Sequence, residues 1–217
     1  MYSKVFWDNI YKKHYSDAPW MDDSWRTDVY LFFDELISPL MNNGVENFSL
    51  LDYGCGNGRM GLLFSKKGMA VDLADISSVL IEKLRQEYAN ETNMNIYETE
   101  TPNDLPKGKK YNVIIVRNVF HHLNPQVWGL FLKGFSSRLK TNGLLFISGW
   151  DKEDDVIRQD NNIAKYTGHE TWCINDLPDY INDLPFSIVK NEKLEIYVPE
   201  FKMNRKFRFF VLNKLNK

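Results

Sequence analysis

The sequence predicts an α/β protein built on a doubly wound, mostly parallel sheet. Two observations carry that expectation. Short apolar or β-branched runs at 48–53, 69–74, 94–98, 111–117 and 143–149 alternate with stretches of helical periodicity, the arrangement of parallel strands joined by crossover helices. The first run ends in Asp52-Tyr53-Gly54-Cys55-Gly56-Asn57-Gly58, an acid followed by alternating glycines. Glycine lacks a Cβ and tolerates positive φ, so such a turn brings backbone close to a ligand.

The elements follow in order. Residues 1–45 read as two helices, one rich in aromatics (Phe6, Trp7, Tyr11, Tyr15) and one from Asp23 or Ser24 to about Pro39. After the first strand, Arg59 to Lys67 can carry a helix that Gly68 ends. After the second, Ser77 or Ser78 can cap a helix through about Tyr88, with Leu80, Ile81 and Leu84 facing inward. Pro125 opens a third helix through about Leu139, closed by the turn Thr141-Asn142-Gly143 before the strand Leu144 to Ser148. Residues 186–197 and 204–213 look like an antiparallel pair, the last alternating through Phe207, Phe209 and Val211. No repeat, low-complexity tract or linker interrupts the chain, so one domain is expected over 1–217.

Composition excludes several classes. With 217 residues and 43% hydrophobic content the chain is long enough for one well-buried core. Its formal net charge of -2 offers no basic excess for a nucleic-acid backbone. Lys202, Arg205, Lys206 and Arg208 are locally basic, but they alternate with Phe201, Phe207, Phe209 and Phe210 as a solvated strand face does. Cys55 and Cys173 make no disulfide framework and are too few for a zinc site; neither reads as a nucleophile, and no metal is expected. The N-terminus lacks a signal-peptide stretch and no apolar run reaches membrane-spanning length, which predicts a cytoplasmic, soluble protein without membrane partners.

The acid before the glycines decides which ligand suits the turn. A dinucleotide brings its pyrophosphate to such a bend, at the positive end of the next helix, and Asp52 would repel it. S-adenosylmethionine brings an ammonium and a sulfonium instead. Gly56-Asn57-Gly58-Arg59-Met60-Gly61 also satisfies GxGxxG, with Asp72 or Asp75 at the distance of a ribose-binding acid. In the dinucleotide fingerprint, however, the first glycine directly follows the strand, whereas here Asp52 and Gly54 precede the matching glycines. The register favours the methyl donor, and an NAD-dependent oxidoreductase is an alternative. Ligands of open sheets sit at the carboxyl ends of strands. Those exits are Asp52, Asp75, the Glu98 to Thr101 stretch, Asn118 and Trp150.

The order glycine turn, Val71-Asp72-Leu73-Ala74-Asp75-Ile76-Ser77, Tyr111-Asn112-Val113-Ile114-Ile115, Asn118-Val119-Phe120-His121-His122-Leu123, Leu139-Lys140-Thr141-Asn142-Gly143 resembles the class I S-adenosylmethionine-dependent methyltransferases over about residues 45–150. The resemblance implies a Rossmann-like sheet of seven strands, the last antiparallel. It places the backbone of Gly54, Cys55 and Gly56 on the methionine part, Asp52 near its ammonium, Asp75 on both ribose hydroxyls and Ile76 on the adenine. Many relatives hold the adenine amino group with an Asp after the third strand; that slot falls on Thr101, with Glu100 beside it. Asn118 joins this cofactor set. Asn112 replaces an acid common at its place, a departure expected to touch packing.

Phe6-Trp7-Asp8-Asn9-Ile10-Tyr11 followed by Ala18-Pro19-Trp20 further resembles small-molecule methyltransferases of the tellurite-resistance and thiopurine type. Their N-terminal aromatics form a lid over cofactor and acceptor, for which Tyr11, Tyr15 and Trp20 are candidates, Tyr11 as a cofactor-binding residue; that the rings staple a helix to the core is equally open. The resemblance divides the domain into lid (1–45), cofactor core (46–150) and acceptor side with closing strands (151–217).

Methyl transfer from a sulfonium draws its driving force from the cofactor, so the protein supplies alignment, desolvation and, for some acceptors, proton removal. His121 and His122 leave the fourth strand where an acceptor would lie, and an imidazole can take a proton from a hydroxyl or amine. Adjacent residues point different ways, so at most one is expected to face the pocket. His169, Trp172 and Trp150 are candidates for the acceptor lining. The expected activity is methyl transfer from S-adenosylmethionine to an oxygen, nitrogen or sulfur of a small molecule; a non-catalytic S-adenosylmethionine-binding module is the other alternative.

Overall fold

The computed structural model describes residues 3–15, 27–41, 47–155, 171–198 and 202–216. Seven strands form one sheet: β1 (Ser49–Tyr53), β2 (Ala70–Asp75), β3 (Met94–Glu98), β4 (Tyr111–Arg117), β5 (Leu139–Trp150), β6 (Phe186–Val198) and β7 (Met203–Lys214). Their order is β3-β2-β1-β4-β5-β7-β6. The pairs β1 with β2, β2 with β3 and β4 with β5 are parallel, while β7 runs antiparallel to both β5 and β6. The expected Rossmann-like sheet with an antiparallel last strand is therefore present. The chain gathers into two compact units that part between Glu100 and Thr101.

The first unit holds β1 to β3 and the helices α1 (Lys4–His14), α2 (Thr27–Met41), α3 (Arg59–Ser65) and α4 (Ser78–Glu87). Strands β1 and β2 are buried on both faces, which is why they read as continuous apolar runs rather than alternating ones. Helix α3 packs closely on β2 because Gly61 has no side chain: a Cβ there would run into Leu73. Leu80, Ile81 and Leu84 are the buried residues of α4, as its periodicity predicts. Ser77 caps that helix, its hydroxyl accepting the Leu80 N–H at 3.3 Å.

The second unit holds β4, α5 (Trp128–Arg138), β5 and the β6–β7 hairpin. A 3-10 turn, Pro125–Val127, precedes α5 where the sequence suggests that Pro125 opens the helix itself. The turn expected at Thr141-Asn142-Gly143 lies within β5 instead. Leu139 already pairs with Tyr111; the register then slips so that Leu144 pairs with Val113, and Asn142 takes φ 58° in the bulge. Asparagine accepts that left-handed conformation at modest cost. Arg138 reaches back to donate to the carbonyls of Pro102, Asn103, Leu105 and Pro106, pinning that loop. Among the described residues no helix is long and apolar enough to cross a membrane.

Candidate active site

In the first unit the glycine turn leaves β1 with Gly54, Gly56 and Gly58 all at positive φ. Gly58 is also closed in: a Cβ there would lie 2.8 Å from both Leu73 and Tyr88, while one on Gly56 would meet nothing within 4 Å. Gly58 is the N-cap of α3 and brings no side-chain acceptor. Asp52 supplies one from β1: buried to 3% exposure, its Oδ2 accepts the N–H of Gly61 at 3.2 Å. A carboxylate thus sits on the positive first turn of that helix.

Asp75 ends β2 facing the same turn. Its Oδ2 accepts the Gly56 N–H at 3.3 Å and its Oδ1 the Ser77 N–H at 3.1 Å. Burial pushes its carboxyl up to about 6, against the pull of the Ser77, Gly56 and Ile76 amides. The Cys55 thiol is driven well above its ordinary range by burial and then by Asp75 and Asp52, which makes it a poor nucleophile. Ile76 is half-buried in the turn that follows.

The end of β3 is arranged differently from expectation. Glu100 is exposed, and its carbonyl accepts the Tyr53 hydroxyl at 3.1 Å. In the second unit, Thr101 caps a 3-10 turn, its N–H and hydroxyl both donating to Asp104 Oδ2 at 2.7 and 3.1 Å. Thr99 stands out instead. It is 3% exposed, its N–H bonds the Asp75 carbonyl at 2.9 Å, and its buried Oγ1 has no partner.

Helix α1 lies on α4. Tyr11 is buried, with its ring 6.2 Å from Trp7 and its carbonyl accepting from Lys83. Tyr15 donates its hydroxyl to Glu87 at 2.7 Å and places its ring 4.1 Å below the Lys83 ammonium. Burial and then Glu87 raise that phenol above its ordinary range.

In the second unit, His121 and His122 follow β4 on a 3-10 turn. Contrary to the expectation that neighbouring rings diverge, they converge: the Nε2 atoms are 3.0 Å apart and the ring centroids 4.1 Å. The tight turn brings the two side chains to one side. His121 is buried and stacks on Trp150 at 5.3 Å, whereas His122 is half-buried. The Arg205 guanidinium lies 4.1 Å from the Trp150 centroid and Phe207 stacks on the same indole at 4.8 Å. Asn118, at φ 57°, has its Oδ1 buried without a partner, as has Trp150 its Nε1. The Trp172 N–H donates to the His121 carbonyl at 3.0 Å. Trp20 and His169 lie outside the described residues. Among the described residues no three His, Cys, Asp or Glu side chains cluster as metal ligands.

Residues 24–197 match the family model of a methyltransferase domain. The chain belongs to that family. The ubiquinone biosynthesis O-methyltransferase of Pelagibacter ubique is 32% identical over 109 residues, 50% of this chain and 44% of that protein. A methyltransferase of Staphylococcus carnosus, itself uncharacterized, is 25% identical over 173 residues, 74% of this chain and 80% of that one. This methyltransferase domain thus spans less than half the length of the Pelagibacter relative. Among solved structures, the 1,6-didemethyltoxoflavin-N1-methyltransferase of Burkholderia thailandensis, with 1,6-didemethyltoxoflavin and S-adenosylhomocysteine bound, shares the fold. Its TM-score is 0.70 at 15% identity, over 98% of this chain and 87% of that one.

Within the methyltransferase domain, Asp52, Gly54, Cys55, Gly56, Asp75 and Ile76 come together around one turn of the first unit. Asn118, His121 and His122 gather at the end of β4 in the second. The sequence marks the Glu98 to Thr101 stretch but does not single out Thr99 within it, and the convergence of the His pair escapes it altogether. A threonine just past a strand carries no pattern of its own, and the 3-10 geometry depends on packing rather than on spacing.

Proposed function

We propose that the chain transfers a methyl group from S-adenosylmethionine to an oxygen, nitrogen or sulfur of a small-molecule acceptor. In this reading it works as a single cytoplasmic domain with residues 1–45 as lid, 46–150 as cofactor core and 151–217 as acceptor side. The methyltransferase domain match and the O-methyltransferase relative support the reaction class. One observation carries the cofactor: the Asp52 carboxylate is already seated on the N-terminal turn of α3. A dinucleotide would set its pyrophosphate there and meet like charge; a nucleoside bearing an ammonium and a sulfonium meets opposite charge.

The residues fit that group. The open space over Gly56 lets a ligand reach the backbone of Gly54, Cys55 and Gly56. Asp75 offers a buried carboxylate to two ribose hydroxyls, several acceptor sites to neighbouring donors. Ile76 flanks the adenine. With the Thr101 hydroxyl committed to Asp104, the unpartnered hydroxyl of Thr99 and the neighbouring Glu100 are the base contacts this reading prefers. In the second unit, Asn118 keeps a buried Oδ1 without a partner, an acceptor open to a ligand.

The cofactor, when bound, supplies a methyl group already activated on sulfur. What the chain adds is alignment, exclusion of water and a place for the acceptor's proton. His122 is that place. A 3.0 Å contact between two imidazole Nε2 atoms needs one donor and one acceptor, so the pair holds a single proton between its rings. His121, stacked on Trp150, fixes the orientation of its neighbour. A net charge of -2 supports a small molecule rather than nucleic acid as partner.

Calorimetric titration with S-adenosylmethionine, S-adenosylhomocysteine and NAD tests the proposal. The first two are expected to bind and NAD is not; binding of NAD alone would overturn it.

A further inference from the structure

Asp8 sits in the middle of α1, yet the bonds its carboxylate makes leave that helix for the start of α4. Its Oδ1 accepts the Ser77 hydroxyl at 2.6 Å and the Val79 N–H at 3.2 Å, and its Oδ2 accepts the Ser78 hydroxyl at 3.2 Å. Asp8 thereby caps a helix it does not belong to, at the end where a carboxylate is most welcome.

Ser77 is the hinge of this arrangement. It is fully buried and bonded on three sides: its hydroxyl donates to Asp8, its Oγ accepts the Leu80 N–H, and its own N–H donates to Asp75 Oδ1 at 3.1 Å. A continuous path thus runs from α1 through one serine to the acid facing the glycine turn. Lys4 to Glu98, and Tyr15 just past α1 to Glu87, are ties at the exposed rim, and the Tyr11 carbonyl accepts from Lys83 of α4. A helix of eleven residues is marginal by itself in water, so its order rests on such docking.

We propose that Asp8 is a positioning residue that couples the docking of α1 to the orientation of Asp75, and so to cofactor binding. The inference rests on the reading that Asp75 holds the cofactor's ribose. Coupling between sites is reciprocal: if docked α1 holds Asp75 in its binding conformation, an occupied site must hold α1 in place. The charge on Asp8 belongs to the device. Burial raises its carboxyl, but the bonds from Ser77, Val79 and Ser78, with Lys4 nearby, outweigh burial and leave it below the ordinary carboxylate range. Asp75, in turn, feels Asp8 as a like charge. Among the described residues, the charged or titratable groups near the two acids include Lys4 on α1, which also faces Glu98 and Glu100, and the Cys55 thiol, which feels both Asp75 and Asp52.

The test is amide hydrogen exchange over residues 4–14 and titration with S-adenosylhomocysteine, for the wild type, Asp8→Ala and Asp8→Asn. In the wild type the ligand is expected to slow exchange in α1. Asp8→Ala is expected to lose that slowing and to bind about 5- to 150-fold more weakly, the usual range of coupling between sites. Asp8→Asn keeps the shape and removes the charge facing Asp75, so the midpoint of the affinity-against-pH curve should move to lower pH; a merely structural role leaves that midpoint unmoved. Should Asp8→Ala fail to fold, the isosteric Asn variant carries the test. Wild-type binding with no change in α1 exchange, or unaltered affinity and midpoint in the variants, overturns the coupling. A wild type that does not bind the ligand overturns the cofactor reading instead.

Discussion

Asp75 is a carboxyl group held where ionisation is costly. Because burial lifts it to about 6, above its ordinary value of 3.8, the native state gains from its protonation. That stability is fully present below the ordinary carboxylate range and is lost as pH rises through about 6, a cost of about 3 kcal/mol at neutral pH. Asp75→Asn is therefore expected to flatten the pH dependence of thermal stability between about pH 4 and 7. Ligand binding has the opposite sign. Hydroxyl donors prefer the ionised form, so affinity for S-adenosylmethionine should fall as pH drops through about 6, and Asp75→Ala should weaken it by about 10- to 100-fold, the loss of charge-assisted hydrogen bonds. A pH-independent affinity would remove Asp75 from the site. For the His pair the measurement is a kinetic split: His122→Ala should lower turnover on an oxygen or nitrogen acceptor by about 10²- to 10⁴-fold with cofactor affinity unchanged. Unaltered turnover would take the base role away.

At the scale of elements, the link from β1 to α3 separates two kinds of glycine. Gly58 has positive φ and no room, with Leu73 and Tyr88 each 2.8 Å from an added Cβ, whereas Gly56 has positive φ and open space. Gly58→Ala should therefore cost about 1–3 kcal/mol of overpacking beyond backbone strain. Gly56→Ala should cost about the strain alone, 1–2 kcal/mol, yet weaken the cofactor more. Denaturant melts and titrations on both variants check this; equal stability losses would refute the packing difference. These elements were legible because their signals are local. Alternating glycines, Ser77 ahead of an apolar periodicity and buried β-branched runs each act within a few residues. The Thr141-Asn142-Gly143 signal marks a bend without telling a turn from a bulge, since only pairing with Tyr111 and Val113 distinguishes the two. Likewise the slot counted back from Tyr111 reaches Thr101, while the residue left with an unsatisfied hydroxyl is Thr99; counting cannot see that Asp104 occupies Thr101.

For the molecule as a whole, what the sequence leaves hidden is the pairing of buried polar groups far apart along the chain. Arg138 meets carbonyls 32 to 36 positions away, and Arg205 meets Asp154 across 51. In the sequence Arg205 reads as part of a solvated basic face, yet it is 2% exposed, bonds a fully buried Asp154 through Nε at 3.1 and 2.8 Å, and rests on Trp150. The strand alternates as the pattern implies, but Arg205 points to the buried face, because a charge can point inward once a partner waits there. That partner defines the last prediction. Asp154 also accepts the Lys206 N–H, and removing Arg205 takes away the cation that faces this buried carboxylate. Arg205→Met should cost about 3–5 kcal/mol, whereas the double change with Asp154→Asn should recover most of it, because an amide tolerates burial better than an unpaired charge. Since Trp150 touches both Arg205 and His121, the single variant should also alter tryptophan fluorescence and slow turnover, and the double variant should restore stability without restoring the indole's environment. Additive losses in the double variant would mean that the pair is not a coupled unit and that Arg205 acts through packing alone.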